Sequence, residues 1–99
     1  EKTENQEFNL LNRYANLEIS AYAVEEDAYV VGRNLIEIQF RKRFSVTVVG
    51  ILRQGELLDH PEPETTFEAG DTVYIMGRSE NVARTFDLFT RNVPQPAGE

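Results

Sequence analysis

The residues best suited to chemistry in this 99-residue chain form a cluster of cations in an otherwise acidic sequence. The formal net charge is −7 at pH 7, yet the stretch from Arg33 to Arg53 holds five basic residues against one acid, Glu37. Three of these cations are consecutive, in Arg41-Lys42-Arg43. Such a cluster can bind an anion, or it can be the solvated end of a helix, where the helix dipole favours cations. Charge alone leaves both interpretations open.

Other chemistries find little support in the residue types. The single histidine, His60, is followed by Pro61 in a predicted turn, and the adjacent Asp59 does not supply the geometry of a base oriented against a nucleophile. The acidic run Glu25-Glu26-Asp27 is typical of a solvated loop, although carboxylates also bind divalent cations. The sequence has no cysteine, no Gly-rich phosphate loop and no dinucleotide fingerprint. We therefore predict that the protein is not an enzyme and expect no metal site.

The composition describes one small domain that folds in water. Hydrophobic residues make up 40% of the chain, which is enough for a core and too many for a disordered tail. No apolar run approaches the ~18–20 residues needed to cross a bilayer. The net negative charge argues against nucleic acid as a direct partner, because binding to phosphates requires a basic surface.

The chain divides into a central domain and two flanking segments. Residues 1–16 are polar and are predicted to be a linker or a short helix. Three apolar residues there recur at a loose helical spacing: Phe8, Leu11 and Tyr14. Residues 91–99 contain two prolines and a glycine and are predicted to be a disordered tail. The domain itself is expected to span residues 17–90.

Strands are predicted where apolar residues alternate or run together between turn residues. The predicted strands are Leu17–Val24, Val46–Leu52, Leu57–Leu58 and Thr72–Gly77. The turn before Leu57 contains Gly55, which tolerates positive φ, and the second strand is apolar on both faces, as in a central strand. Before the last strand, Gly70-Asp71 predicts a tight turn in which the aspartate accepts hydrogen bonds from nearby amides.

Two helices complete the predicted pattern. The first begins at Asn34 and Glu37, whose spacing is that of a capping box, and ends at Arg41-Lys42-Arg43. The second spans Glu80–Phe89, with Ser79 as its N-cap. Its apolar face is predicted to hold Val82, Phe86 and Phe89. The order strand-helix-strand-strand-strand-helix predicts an α+β domain, a small β-sheet with two packed helices.

In this order, the motifs resemble the TrkA-C domain, also called the RCK C-terminal domain. The segments that carry the resemblance are Val31-Gly32-Arg33-Asn34-Leu35-Ile36-Glu37-Ile38, the basic helix end Arg41 to Phe44, the strand Val46 to Arg53, the prolines Pro61 and Pro63, the turn Gly70-Asp71, and Gly77 to Glu80. The similarity covers residues 17 to 90. Each motif is weak alone, whereas the ordered set is fairly specific.

The resemblance implies a homodimeric regulatory domain at the cytoplasmic face of the cell membrane. It would serve a potassium channel, a potassium uptake system or a cation/proton antiporter, whose membrane-embedded part is in the same chain or in a partner chain. Some members bind a small ligand at the dimer interface, cyclic di-AMP among them. The nucleotide-binding half that usually precedes this domain is missing, so NAD or ATP binding is not carried over. Two alternatives stay open: the effector-sensing domain of a transcription regulator, and a purely structural dimerisation module.

If the domain binds a small anionic ligand, the resemblance and the charges point to one neighbourhood. The predicted ligand residues are Asn34, Arg41, Lys42, Arg43, Val46 and Val48. The three cations would hold the phosphates of a nucleotide such as cyclic di-AMP. Asn34 would bond a base or a phosphate, and the two valines would flank a purine. A helix cap for Asn34 and core positions for the valines are the competing structural roles.

Overall fold

The computed structural model describes residues 17–90, which form a four-stranded antiparallel sheet with helices on one face. The strands are β1 (Leu17–Ala23), β2 (Thr47–Arg53), β3 (Glu56–Asp59) and β4 (Thr72–Arg78). The helices are α1 (Leu35–Ile38), α2 (Phe40–Phe44), α3 (Ser79–Arg84) and α4 (Phe86–Phe89). The predicted α+β class and element order are confirmed, with a pair of short helices at each predicted helix. The linker and tail predictions for 1–16 and 91–99 lie outside the described residues.

The strand order across the sheet is β1-β4-β2-β3, and all neighbours are antiparallel. Strands β2 and β4 are therefore central, as the apolar sequence of β2 predicts. The turn between β2 and β3 has positive φ at both Gln54 (52°) and Gly55 (81°), which is the backbone of a type I′ hairpin. At the end of β4, the backbone of Gly77 packs closely against Val46. A Cβ atom at this glycine would lie 2.8 Å from Cγ1 of the valine.

The first predicted helix is broken at Gln39, so the prediction of one continuous helix was wrong. This residue has φ 59° and ψ 55°, the left-handed conformation, and its N–H donates to the Leu35 carbonyl at 2.9 Å. Ile38 and Phe40 on either side are both buried. Two residues in a regular helix point about 200° apart, so a continuous helix would place only one of them in the core. The break allows both side chains to be buried.

The second predicted helix is also interrupted, at Thr85. The Thr85 hydroxyl donates to the Val82 carbonyl at 2.7 Å, and α4 follows with a different face toward the sheet. Phe86, predicted to lie on the apolar face, is 50% exposed, whereas Leu88 is buried. The predicted N-cap was wrong as well, because Ser79 is the first helical residue and Arg78 occupies the cap position. Within residues 17–90, no helix is long and apolar enough to cross a bilayer.

The core lies between the sheet and the helices and contains a cluster of three phenylalanines. Phe40, Phe67 and Phe89 come from α2, from the loop before β4 and from α4, and their ring centroids are 5.9–6.1 Å apart. Tyr22 of β1 packs on Phe89 at 5.5 Å. These contacts tie both helix pairs to the sheet.

Candidate ligand site

A groove of about 500 Å³ opens between the first helix pair, the start of β2 and the segment after β3. It combines two cations with apolar side chains and two prolines, and we call it the basic groove. Its lining residues are Leu35, Ile36, Gln39, Phe40, Arg41, Lys42, Thr47, Val48, Pro61 and Pro63. Ile36 at its wall is 54% exposed, so an apolar side chain faces solvent beside the two charges.

The wall that α1 contributes is held by a capping box at its N-terminus and by a hydrogen bond to the proline segment. Asn34 Oδ1 accepts from the Glu37 amide at 2.9 Å, and Glu37 Oε1 accepts from the Asn34 amide at 2.9 Å, which completes the predicted capping box. The Ile36 amide donates to the Pro63 carbonyl at 3.3 Å. This last bond joins the helical wall of the groove to its proline wall.

Asn34→Ala is expected to lower the free energy of unfolding by about 1 kcal/mol, because the helix loses its N-cap oxygen. Asn34→Ser keeps a cap acceptor and should retain most of the stability. Urea unfolding of both variants measures the difference. Equal losses from alanine and serine would contradict a capping role.

The cations at the groove come from α2, which begins directly after the break at Gln39. Arg41 and Lys42 are exposed and take part in no ion pair within residues 17–90. Their charges are therefore available to an anion. Arg43, the next residue, points elsewhere: its guanidinium carbon lies 5.4 Å from the centroid of the Phe44 ring.

The groove brings together three of the six predicted ligand residues: Arg41, Lys42 and Val48. The other three do not line it. The Asn34 side chain serves the cap, Val46 is buried against Gly77, and Arg43 lies over Phe44.

The sequence analysis missed the remaining lining residues, notably Thr47 and the proline pair. The sequence analysis used the prolines only as a motif of the family resemblance and assigned them no contact with a ligand. Pro61 and Pro63 lie in the long loop that returns the chain to β4, and their place opposite α1 follows from tertiary contacts. A polar residue at the start of β2, beside a basic helix end, was the available signal for Thr47.

An ion pair between a buried aspartate and a half-buried arginine anchors the loop that carries these prolines into β4. Asp71 is 1% exposed and accepts two hydrogen bonds from Arg53, at 2.9 Å from Nε and 2.8 Å from an Nη atom. Arg53 also donates to the Thr66 carbonyl at 2.8 Å, and the Glu68 amide donates to the Asp71 carboxylate at 2.9 Å. The hydrogen bonds that Arg53 donates to Asp71 raise the pKa of Arg53, and this effect outweighs the lowering by burial. The predicted role of Asp71 in bonding nearby amides is confirmed.

The same loop is bonded to the segment that precedes α1. The Phe67 amide donates to the Arg33 carbonyl at 2.9 Å, and the Gly32 amide donates to the Phe67 carbonyl at 3.0 Å. A backbone bridge pairs Asn34 with Thr66. The loop before β4 therefore holds the start of α1, and with it the helical wall of the basic groove. The Arg53–Asp71 pair anchors this loop to β2.

The sequence and fold define a known class of domain. A family model described as the TrkA-C domain matches residues 19–90, and the chain belongs to this family. The resemblance expected from the motifs is confirmed, and with it the class: a regulatory domain of the kind found in cation channels and antiporters.

Among curated proteins, the chain is similar to subunits of cation transport systems. It is 29% identical over 77 residues to the K⁺/H⁺ antiporter subunit KhtT of Bacillus subtilis, covering 77% of this chain and 47% of that protein. It is 28% identical over 67 residues to the probable potassium channel protein 2 of Methanocaldococcus jannaschii, covering 68% of this chain and 20% of that protein. The chain thus spans less than half the length of either relative.

Among solved structures, the fold matches the RCK_C domain dimer of BusR from S. agalactiae, determined in complex with c-di-AMP. The TM-score is 0.67 at 26% sequence identity, covering 75% of this chain and 91% of that chain. BusR has also been solved in complex with its promoter DNA, with a TM-score of 0.66 at 25% identity over 89% of this chain and 45% of that one.

Proposed function

We propose that this domain is a homodimeric ligand sensor that regulates a potassium or other monovalent-cation transporter at the cytoplasmic face of the cell membrane. Its role is regulatory rather than catalytic, and its ligand is an anionic nucleotide, c-di-AMP. The observation that carries the proposal is the basic groove, where Arg41 and Lys42 lie beside apolar side chains and prolines. Support also comes from the transport relatives and from the c-di-AMP complex of BusR.

The groove offers cations for the phosphates and apolar side chains for the bases of a cyclic dinucleotide. A guanidinium and an ammonium without partners within residues 17–90 can pair with phosphate oxygens. Ile36, Pro61 and Pro63 offer flat apolar surface against which a purine can pack. The Thr47 hydroxyl can donate to or accept from the base or the ribose.

An open groove can form half of a ligand site if two protomers of a symmetric dimer share one ligand. Cyclic di-AMP consists of two identical nucleotides, and a twofold dimer presents the same surface twice around its axis. Each protomer would hold one phosphate and one adenine. The exposed Ile36 at the wall would then be covered by the ligand or by the second protomer, which removes its apolar surface from water.

Arg41→Ala is expected to abolish the stabilisation of the domain by c-di-AMP. A ligand present at a hundred times its dissociation constant adds ~2.7 kcal/mol to folding if it binds only the native state. For a domain of this size, that raises the midpoint of thermal unfolding by about 10 °C or more. A thermal-shift assay of the wild type and the variant with c-di-AMP, c-di-GMP, ATP and NADH measures both affinity and selectivity.

Arg43→Ala is the matched control, because it removes the same charge from the same helix at a residue outside the groove. It should keep the shift that Arg41→Ala loses. Loss of the shift in both variants would mean that only the net charge matters. No shift in the wild type with any nucleotide would favour the purely structural dimerisation module. Sedimentation at tens of micromolar should give a dimer, and a monomer would contradict the proposed assembly.

The effector-sensing domain of a transcription regulator is the second candidate, favoured by the match to BusR in its DNA complex. In that case, the sensor would bind the same ligand and a separate domain would bind DNA. The acidic surface of this chain is consistent with this division, because its net charge of −7 opposes direct binding to phosphates. The sequence of the whole gene distinguishes the two, through a membrane-spanning segment or a helix-turn-helix.

A further inference from the structure

Two arginines from different helices lie beside one aromatic ring. The guanidinium carbon of Arg43 is 5.4 Å from the centroid of the Phe44 ring, and that of Arg84 is 5.6 Å from the same centroid. Arg43 belongs to α2 and Arg84 to α3, so it is the packing of these helices that brings the two charges together. Both arginines are exposed to solvent, whereas Phe44 is half-buried. We call Arg43 and Arg84 the arginine pair.

Arg84 has acidic residues near it in the sequence but pairs with none of them. Glu80 precedes it by one helical turn in α3, a spacing at which opposite charges pair along a helix, and Asp87 follows it by three residues. No ion pair within residues 17–90 includes Arg84. Its Nη1 atom donates to the Oδ1 atom of Asn81 at 3.3 Å. A neutral amide therefore orients the guanidinium, and the described residues leave its positive charge uncompensated.

The arginine pair is electrostatically unfavourable by itself. Arg43, like Arg84, takes part in no ion pair within the part of the chain that the structure describes. Two positive charges close to each other repel. The Phe44 ring offsets this repulsion only weakly, because both guanidiniums lie near the ~6 Å limit at which a ring attracts a cation. An anion held by both guanidiniums would replace the repulsion with two attractions.

We infer that the arginine pair binds a phosphate monoester, at a site separate from the basic groove. The two guanidiniums stay charged at every physiological pH and together carry two positive charges. A phosphate monoester carries about −1.5 to −2 charges at pH 7, so it neutralises both. Each guanidinium also presents its N–H donors in a planar fork that matches the oxygens of a phosphate. A phosphodiester, with one negative charge, would leave one guanidinium uncompensated.

Helix α2 separates the inferred phosphate site from the basic groove. Residues two apart in a helix point about 200° apart, so Arg41 and Arg43 extend from opposite sides of α2. Arg41 lines the basic groove together with Lys42, whereas neither member of the arginine pair does. The domain can therefore bind a nucleotide in the groove and a phosphate monoester beside α3 at the same time.

Titration of the full chain with inorganic phosphate tests the inference. In nitrogen–proton NMR spectra, the side-chain Nε–Hε signals of Arg43 and Arg84 should shift saturably with phosphate, at an ionic strength held constant with sodium chloride. Arg43→Gln and Arg84→Gln should each weaken the affinity about ten-fold, the loss expected for one charged hydrogen-bonding partner. Arg78→Gln is the matched control, because it removes the same charge at the N-cap of α3 and should leave the affinity unchanged.

Two results of this titration would overturn the inference. Shifts that grow linearly with phosphate, without saturation, would show that the anion only screens the charges. An equal loss of affinity in Arg78→Gln and Arg84→Gln would show that the net charge matters and the position of the guanidinium does not. Arg43, Arg78 and Arg84 are all exposed, so the substitutions leave the core intact, and the dispersion of the amide signals checks the fold.

Vesicle binding identifies the source of the phosphate monoester, which is either a soluble molecule or a lipid headgroup. The vesicles contain four parts phosphatidylcholine and one part phosphatidic acid, whose headgroup is a phosphate monoester. In the control vesicles, the diester phosphatidylglycerol replaces the phosphatidic acid. Sedimentation of the protein only with phosphatidic acid vesicles, lost in Arg84→Gln, would assign a lipid. Saturable binding of phosphate without sedimentation would assign a soluble ligand.

Equal sedimentation with both kinds of vesicle would reflect charge alone and would overturn the preference for a monoester. Neither experiment contains a nucleotide, so both results are independent of the proposed binding of c-di-AMP.

Discussion

Asp71→Ala is expected to lower the free energy of unfolding by about 1.5–3 kcal/mol, because the half-buried guanidinium of Arg53 loses its hydrogen bonds to a buried carboxylate and keeps only the exposed Glu68 as an acidic partner. Asp71 is 1% exposed, and Arg53 directs two nitrogen donors at its carboxylate. The substitution also removes the acceptor of the Glu68 amide. Urea unfolding followed by circular dichroism measures the loss.

A double-mutant cycle separates the ion pair from the rest of this loss. Arg53→Ala alone leaves the carboxylate of Asp71 buried and unpaired, so it should also be strongly destabilising. The double variant should lose clearly less than the sum of the two single variants, because neither charge is then left alone. Additive losses would mean that the two side chains stabilise the fold independently and that their contact matters little.

The ion pair illustrates what the sequence could and could not predict. The turn at Gly70-Asp71 and the bonding of its carboxylate to nearby amides follow from local residue types, and both are present. The partner of Asp71 is 18 residues earlier in the chain. Arg53 was counted only as part of a basic stretch, because its role depends on the loop folding back beside the end of β2. Local patterns do not contain this information.

The broken helices also depend on tertiary packing, which local sequence patterns do not predict. Asn34 and Glu37 identified the start of the first helix, since a capping box is a local arrangement. The apolar residues Ile38 and Phe40 lie within the one continuous helix that the sequence predicts up to Arg41-Lys42-Arg43. The break at Gln39 is decided by the sheet, which accepts both side chains only if the chain changes direction between them. Burial in the core outweighs the energy of one non-glycine residue in the left-handed region.

For the basic groove, the sequence analysis named two of the cations that line it, Arg41 and Lys42, and only part of its apolar walls. Consecutive cations at a helix end are visible without a structure, but the direction of each side chain depends on the helix geometry. The new helix that begins after Gln39 sends Arg41 and Lys42 toward the groove and Arg43 toward Phe44. Of the three consecutive cations, Arg41 and Lys42 therefore stay candidates for ligand binding, and Arg43 serves as the control.

Phe89→Ala is expected to destabilise the domain by about 3–5 kcal/mol, the usual range for removing a buried aromatic ring. Its ring is fully buried and stacks on Phe40 with an interplanar angle of 8°, while Phe67 and Tyr22 pack on its other sides. The resulting cavity would be enclosed by residues from both helix pairs and from the sheet, so it can collapse only in part.

Phe86→Ala is the matched control, because it removes the same ring from the same short helix at a position that is 50% exposed. Its one ring contact is edge-on to Tyr22 at 5.6 Å, within the part of the chain that is described. We expect a loss of about 1 kcal/mol, the contribution of a single aromatic pair. Thermal and urea unfolding of both variants test the helix face directly. Equal losses would support the continuous apolar face of Val82, Phe86 and Phe89 that the sequence alone predicts, whereas a large difference requires the turn at Thr85 that rotates α4.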